Sequence, residues 1–260
     1  MRQNSMSIVK NEIPLLEFDT DKNAVIMPDR RQIAAQLPPK AVFAFLGDEI
    51  DAYAEEHGGK IVAEFETATK SFPVYTVRHE GQEVCLAQAP TGAAAAAQFL
   101  DWLIGHGARE IISAGSCGAL EDIAENTFLV PCRALRDEGT SYHYAPPSRF
   151  IDIDSCARRA IEAALEKHGL PYREIVTWTT DGFYRETAAK VAYRREEGCA
   201  AVEMECSALA ACARFRGALW GEILFTADSL ANVEQYDERN WGGDSFAYAL
   251  RLCLDAVAAM

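Results

Sequence analysis

From residue 41 onward, short apolar runs alternate with longer segments in which apolar residues recur at helical spacing. The short runs are bounded by turn residues and predict strands over residues 41–46, 74–78, 84–89, 110–114, 128–131, 175–179 and 222–226. The longer segments predict helices over residues 48–56, 93–104, 156–168, 205–216 and 246–260. This order predicts a single α/β domain with a mixed, mostly parallel β-sheet flanked by helices on both faces.

Residues 1–40 have a different pattern. They contain four prolines and only short apolar patches. We expect an N-terminal extension that packs over a main domain of residues 41–260, with one short helix over residues 30–37. Pro38 and Pro39 mark its end, since consecutive prolines interrupt regular structure.

Composition and charge narrow the class of partner. The chain has 260 residues and a formal net charge of −14, so its surface repels nucleic acid backbones and anionic lipid. No segment reaches the ~18 consecutive apolar residues of a membrane span, and the polar N-terminus lacks the apolar core of a signal peptide. We therefore expect a cytoplasmic protein that binds neither nucleic acid nor membrane.

The cysteines and histidines do not indicate a metal site. None of the eight cysteines has C-x-x-C spacing, which favours reduced, buried thiols over disulfides. The five histidines are scattered and form no H-E-x-x-H motif. We therefore expect no metal and no bound cofactor.

Small residues, hydroxyls, acids and aromatic side chains follow the predicted strands. These segments are 47–49, 91–92, 115–120, 180–185 and 227–229. Because ligands bind at the carboxyl ends of strands in such sheets, we expect the five segments to meet at one rim. That set of side chains suits a small polyhydroxylated ligand with a flat ring. The chain has neither a G-x-G-x-x-G nor a P-loop motif.

Two acids stand at the start of a helix that we expect to be buried. Alanines surround its apolar face, and Glu203 and Glu205 lie at its N-terminal end. They are either first-turn acids that favour the helix dipole or ligands for sugar hydroxyls, because a buried carboxylate needs partners. Asp228 is similarly open to two interpretations, a helix N-cap or a reactive acid. Phe183 either packs in the core or stacks on the ring of a ligand.

Four segments occur in an order and at spacings that match a known family. They are GSCGAL from Gly115, TDGFY from Thr180, VEMECSAL from Val202 and TADS from Thr226. They resemble, in turn, the G-[ST]-x-G-[AG] turn, the S-D-x-F-Y base segment, the E-M-E-[AS]-[AT] ribose helix and the S-D of the catalytic acid in the purine nucleoside and uridine phosphorylase superfamily. The resemblance runs from about residue 41 to the C-terminus and implies a partly barrel-like sheet.

The resemblance also implies site residues. The ribose would be bound by Glu203, Met204 and Glu205. The base pocket would be formed by Phe183, Cys117 and Gly118. Asp228 would be the general acid that protonates the departing base, and it would need a raised pKa to stay protonated near pH 7.

The family's phosphate site is only partly matched. Asp51 stands where the family's G-D-P-x-R motif has an arginine, and Ser113 stands where a second arginine precedes the glycine turn. The remaining candidates for phosphate contacts are Gly47, Lys70, Thr91 and Ser116. Lys70 matches an arginine that the family contributes from a neighbouring subunit, so we expect a homo-oligomer, either a dimer or a hexamer of dimers.

These observations predict cleavage of the N-glycosidic bond of a nucleoside, with a purine-type base favoured. The first hypothesis is a nucleoside phosphorylase, a transferase of nucleoside salvage that uses inorganic phosphate as co-substrate and forms ribose 1-phosphate. The second is a hydrolytic nucleosidase, in which Asp48 or Glu49 would activate water. The third is a nucleoside-binding protein without turnover.

Overall fold

The computed structural model describes residues 8–30, 33–34 and 36–260. Its strands are β1 (Lys40–Ala44), β2 (Lys60–Glu66), β3 (Ser71–His79), β4 (Gln82–Gln88), β5 (Glu110–Ala119), β6 (Phe128–Asp137), β7 (Phe150–Asp152), β8 (Tyr172–Thr180), β9 (Cys199–Glu203) and β10 (Leu219–Ser229). Its α-helices are α1 (Glu49–Glu56), α2 (Ala93–Gly105), α3 (Ser155–Lys167), α4 (Ala188–Glu196), α5 (Cys206–Arg216) and α6 (Phe246–Ala259). No helix in the described part of the chain is both long and apolar enough to cross a membrane.

Five of the strands close into a barrel. β10 pairs with β6, β6 with β8, β8 with β9 and β9 with β5, and β5 then pairs with β10. From β5 the sheet continues outward through β1, β4, β3 and β2 as an open arm. The predicted mixed, partly barrel-like sheet with flanking helices is therefore confirmed.

The strands do not all point toward the same rim. β5 and β10 are parallel to each other, whereas β9 is antiparallel to β5 and β8 runs parallel to β9. The five strand ends therefore do not form one edge of a parallel sheet, but residues of four of the five segments, 91–92, 115–120, 180–185 and 227–229, line one cavity. The ends of β8 and β9 instead arrive beside the C-terminal halves of β5 and β10, which extend to 10 and 11 residues.

Apolar layers cover both faces of the sheet. α2 and α5 pack on one face, and α3 and α6 pack on the other. In α5, every residue over 206–213 is buried, and its alanines allow the helix to approach both α2 and the sheet closely. This explains why α5 has no polar face and why groups at its N-terminus lie deep in the protein.

Several elements differ from their predicted bounds. The glycine-rich segment at Gly115 lies inside β5, and Asp228 lies inside β10, because hydrogen bonding between the two strands continues as far as Ala119 and Ser229. β2, β7, α4 and β9 were not predicted. The helix predicted over residues 30–37 lies partly outside the described residues, and its described residues are not helical.

The extension contacts the domain at α2 and α5. Phe18 meets Phe215 edge-on, with 6.4 Å between ring centroids. Arg216 donates to the Lys22 carbonyl at 2.8 Å. Its guanidinium also pairs with Asp101 of α2 through Nε at 2.7 Å and Nη2 at 3.1 Å. A partly buried ion pair thus connects both helices to the extension.

A second polar cluster connects α6 to β3 and to the end of α3. Asp255 accepts from Nε2 of His79 on β3 and from Nε2 of His168, which follows α3, each at 2.7 Å. Lys167 lies 3.3 Å from the same carboxylate. Burial raises the pKa of Asp255, but the hydrogen bonds from His168, His79 and Lys167 outweigh it and lower that pKa overall.

Candidate active site

A cavity of about 340 Å³ lies between the middle of the barrel and the N-terminal end of α5. β5, β9 and β10 form its walls, and the segment after β8 forms part of its rim. A larger groove of about 1170 Å³ lies between the extension and α2, but none of the residues predicted for the site lines it. The smaller cavity is therefore the candidate active site.

Glu203 ends β9, and internal donors saturate its carboxylate. Oε1 accepts from the hydroxyls of Thr177 at 3.2 Å and Thr179 at 2.6 Å. Oε2 accepts from the backbone N–H groups of Glu205 at 2.7 Å and Cys206 at 2.6 Å. A carboxylate offers about four lone pairs, so none remains for a ligand. Glu203 therefore borders the cavity mainly as the acceptor that holds the backbone N–H groups of Glu205 and Cys206 at the start of α5.

Glu205 has acceptor capacity left. Its carboxylate accepts from the backbone N–H groups of Gly92 and Met204, which use two of its about four lone pairs. Gly92 has φ of +99°, a conformation that glycine adopts at little cost. Burial, followed by the charge of Glu203, raises the pKa of Glu205 to about 8.

Asp228 enters the cavity because β10 is irregular at that point. The register between β10 and β5 shifts between Thr226 and Ser229, and such a bulge redirects a side chain. The Asp228 carboxyl is almost fully buried and accepts from the Tyr236 hydroxyl at 3.1 Å. Burial raises the pKa of Asp228, although the Tyr236 hydrogen bond limits the rise.

The glycine of the β5 segment makes room for that acid. A Cβ added at Gly118 would lie 2.8 Å from Leu230, 2.9 Å from Val202 and 3.2 Å from Oδ1 of Asp228. Beside it, burial raises the pKa of the Cys117 thiol well above its usual range. Cys117 therefore contributes shape and an uncharged thiol to the cavity wall.

Aromatic rings and one further acid form the rim. Phe183 and Trp241 both line the cavity and are 43% and 44% exposed. Phe183 contacts Tyr184 edge-on, with 5.0 Å between ring centroids. Burial, then the charge of Asp228, raises the pKa of Glu186 to about 7.

The structure brings most of the predicted residues together. The lining includes Cys117, Gly118, Phe183, Glu203, Met204, Glu205 and Asp228, together with Thr91 and Ser116. Of the phosphate candidates, Gly47 and Lys70 do not line the cavity. Lys70 lies in the turn between β2 and β3, with its ammonium 5.1 Å from the centroid of the Phe72 ring. Asp48 and Glu49, the expected water activators, do not line it either.

Outside the four matched segments, five lining residues were not predicted from the sequence: Phe45, Glu186, Glu222, Leu224 and Trp241. Glu186 follows the matched TDGFY segment by two positions, so extending that motif by two residues would have included it. Glu222 offered a weaker signal, an acid at the start of an apolar strand pattern. Phe45 and Trp241 stand outside every matched segment, and only the folded chain places them here.

The sequence profile of the Phosphorylase superfamily matches residues 39–258. The chain belongs to this superfamily, as the four sequence segments predicted, and is an enzyme of the nucleoside phosphorylase and nucleosidase class.

Individual relatives differ in the reaction their names describe. A purine nucleoside phosphorylase of the DeoD type from Bacillus cereus is 27% identical over 193 residues, covering 70% of this chain and 79% of the relative. A uridine phosphorylase from Vibrio fischeri aligns with a TM-score of 0.75 at 23% identity, covering 90% and 95% of the two chains. An AMP nucleosidase from Bacteroides thetaiotaomicron aligns with a TM-score of 0.70 at 24% identity, covering 86% and 89%. The shared fold therefore leaves the attacking nucleophile open.

Proposed function

We propose that this protein hydrolyses the N-glycosidic bond of a purine-type nucleoside. One observation carries the proposal. Five carboxyl groups line the cavity, from Glu186, Glu203, Glu205, Glu222 and Asp228, and no lysine, arginine or histidine is among its described lining residues. Such a cavity can bind a sugar and protonate a base, but it gives a phosphate dianion no cationic partner.

Ribose binding follows from the spare acceptor capacity of Glu205. Its two remaining lone pairs match the 2′ and 3′ hydroxyls of one ribose, and each such hydrogen bond contributes about 0.5–1.5 kcal/mol net. Met204 lies beside it in the lining and would pack under the sugar ring. Glu203 holds the start of α5 in place and thereby orients Glu205.

Base departure would use Asp228. A purine leaves more readily when its N7 accepts a proton as the C1′–N9 bond breaks. A buried, protonated carboxyl group can supply that proton, and general acid catalysis of this kind contributes roughly 10²–10⁴-fold to the rate. Phe183 and Trp241 would cover the base from the rim.

The charge of the cavity favours water over phosphate as the nucleophile. A phosphate dianion in a buried site needs cationic donors to replace its hydration, and none of the described lining residues is basic. Phosphate sites depend on charge-assisted hydrogen bonds, which the lining does not supply. Water needs no cationic partner.

Phosphorolysis is the second candidate, and the position of Thr91 and Ser116 in the lining favours it. Their hydroxyls could hold two phosphate oxygens. The reaction would still need a cation from outside this cavity, such as Lys70 of a second copy in a homo-oligomer.

The test is base release from inosine, adenosine and uridine, each with and without inorganic phosphate. We expect release from the purine nucleosides at the same rate in both conditions and little from uridine. Release that requires phosphate would replace the proposal with phosphorolysis. Thermal stabilisation by nucleoside without any release would indicate a binding protein. Asp228→Ala is the inactive control.

A further inference from the structure

Glu222 is a buried acid in the cavity whose position the ribose and base do not explain. It lies on β10, six positions before Asp228, and its side chain is only 2% exposed. Its Oε2 has no hydrogen-bond partner among the described residues, although the residue lines the cavity. Buried polar atoms are rarely left without a partner, so this oxygen needs an explanation.

A purely structural role explains Glu222 poorly. Its neighbours on the same face of β10 are Trp220 and Leu224, which are apolar and buried. Trp220 donates to the Ser113 hydroxyl at 2.9 Å, so that tryptophan is satisfied without Glu222. Glu222 accepts a hydrogen bond from the Cys206 thiol, which is a weak donor. An apolar residue at this position would avoid burying an unpaired acid at a cost of about 1–3 kcal/mol.

The carboxyl lies close to the ribose end of the cavity. Cys206 is the first residue of α5 and follows Glu205 directly. After burial itself, the charges of Glu203 and Glu205 raise the pKa of Glu222 well above its usual range. Glu222 and Asp228 therefore enter the cavity from different ends of it, one beside the ribose-binding carboxyl and one beside the base pocket.

We infer that Glu222 is the general base that holds and activates the attacking water. In this step the water oxygen bonds to C1′ while one water proton passes to the carboxylate of Glu222. The C1′–N9 bond breaks, its electron pair goes to the base, and N7 takes the proton of Asp228. Solvent then carries a proton from Glu222 to Asp228, so water and nucleoside give free ribose and free base.

This inference rests on the proposed hydrolysis and assigns the group that the sequence expected at Asp48 or Glu49. A carboxylate suits the step for two reasons. It accepts a proton, and its negative charge stabilises the positive charge that develops on the sugar. Because the pKa of Glu222 is raised, the step uses the fraction of molecules in which Glu222 is ionised while Asp228 is protonated.

The test compares Glu222→Gln with wild type and with Glu83→Gln, which removes an exposed glutamate of β4. Glutamine keeps the volume of Glu222 and removes the base. We expect kcat for phosphate-independent hydrolysis of inosine to fall by about 100-fold or more. We also expect KM to change little and the melting temperature to stay near that of wild type. Glu83→Gln should leave all three unchanged.

A second variant separates catalysis from structure. Glu222→Ala opens space for azide, a nucleophile that needs no deprotonation. Added azide should restore base release and yield ribosyl azide, which a structural role for Glu222 would not produce. If the Gln and Ala variants do not fold, Glu222→Asp keeps the acid but shortens its reach, and kcat should fall by about tenfold or more.

The outcomes are separable. Phosphate-dependent release by wild type would overturn the proposed hydrolysis itself. Phosphate-independent release by wild type, with kcat of Glu222→Gln within threefold, would leave hydrolysis standing and overturn the role of Glu222. The same conclusion follows if azide restores nothing to a folded Glu222→Ala protein.

Discussion

The two acids of the E-M-E segment should respond differently to the same truncation. In the Glu203→Ala variant, the backbone N–H groups of Glu205 and Cys206 lose their acceptor deep inside the protein. A buried donor without a partner costs about 1–3 kcal/mol, so the two together cost about 4 kcal/mol. For a chain of this size, such a loss lowers the melting temperature by on the order of 10 °C.

Glu205→Ala is the matched control, because it makes the same change two residues away. It also leaves two N–H groups without their acceptor, those of Gly92 and Met204. These donors lie at or next to two residues that line the cavity, Met204 and Thr91, so water can replace the carboxylate there. We expect a shift in melting temperature of under about 3 °C but a rise in KM of about tenfold or more from lost ribose contacts.

Thermal unfolding and steady-state kinetics on both variants decide the matter. The account predicts that stability is lost in Glu203→Ala and ribose affinity in Glu205→Ala. A melting temperature of Glu203→Ala within about 3 °C of wild type would refute the argument from its four donors. Equal destabilisation of the two variants would show that both acids serve the fold.

Three further predictions concern the base site and the polar cluster around Asp255. Asp228→Asn should lower kcat on inosine by about 10²–10⁴-fold. The loss should be far smaller on an N7-methylated purine nucleoside, because its base leaves without accepting a proton. Equal losses of kcat on both substrates would refute the role of Asp228 as an acid. Gly118→Ala should reduce kcat by tenfold or more while the protein stays folded, because its Cβ would lie 2.9 Å from Val202 and displace Asp228; full activity would contradict this crowding. Asp255→Asn should lower the melting temperature by several degrees at pH 7. The folded-state pKa of Asp255 is lowered. The difference in melting temperature from wild type should therefore be complete above the unfolded pKa of about 3.9 and shrink as the pH falls through the lower folded pKa. A difference in melting temperature that does not depend on pH would contradict this cause.

The sequence located the parts of the site that lie in short, contiguous segments. Glu203, Met204 and Glu205 are adjacent, and a strand end followed by a buried helix already predicts acids at the mouth of that helix. The mixed α/β fold was also predictable, because alternating strand and helix patterns persist along the chain. The adjacent positions do not show that Glu203 is saturated by internal donors while Glu205 keeps free acceptor capacity. That difference depends on the hydroxyls that Thr177 and Thr179 of β8 donate to Glu203.

The remaining differences arise from long-range pairing. The segment at Gly115 favours a turn by local propensity, but pairing with β10 holds it in β5, since tertiary context outweighs β-propensity. Likewise, the local sequence shows Glu222 only as a polar residue on a predicted strand, because its burial depends on closure of the barrel. Lys70 matches the family pattern in linear order, yet the β2–β3 turn places it away from this cavity.

The measurement that tests the central claim most directly is the identity of the sugar product. Wild-type protein is incubated with inosine in saturating inorganic phosphate, and the products are followed by phosphorus and proton NMR. The account predicts free ribose and hypoxanthine in equal amounts, with no ribose 1-phosphate. Stoichiometric ribose 1-phosphate would contradict it, because a cavity lined by five carboxyls and no described basic side chain would then have bound and used a phosphate dianion.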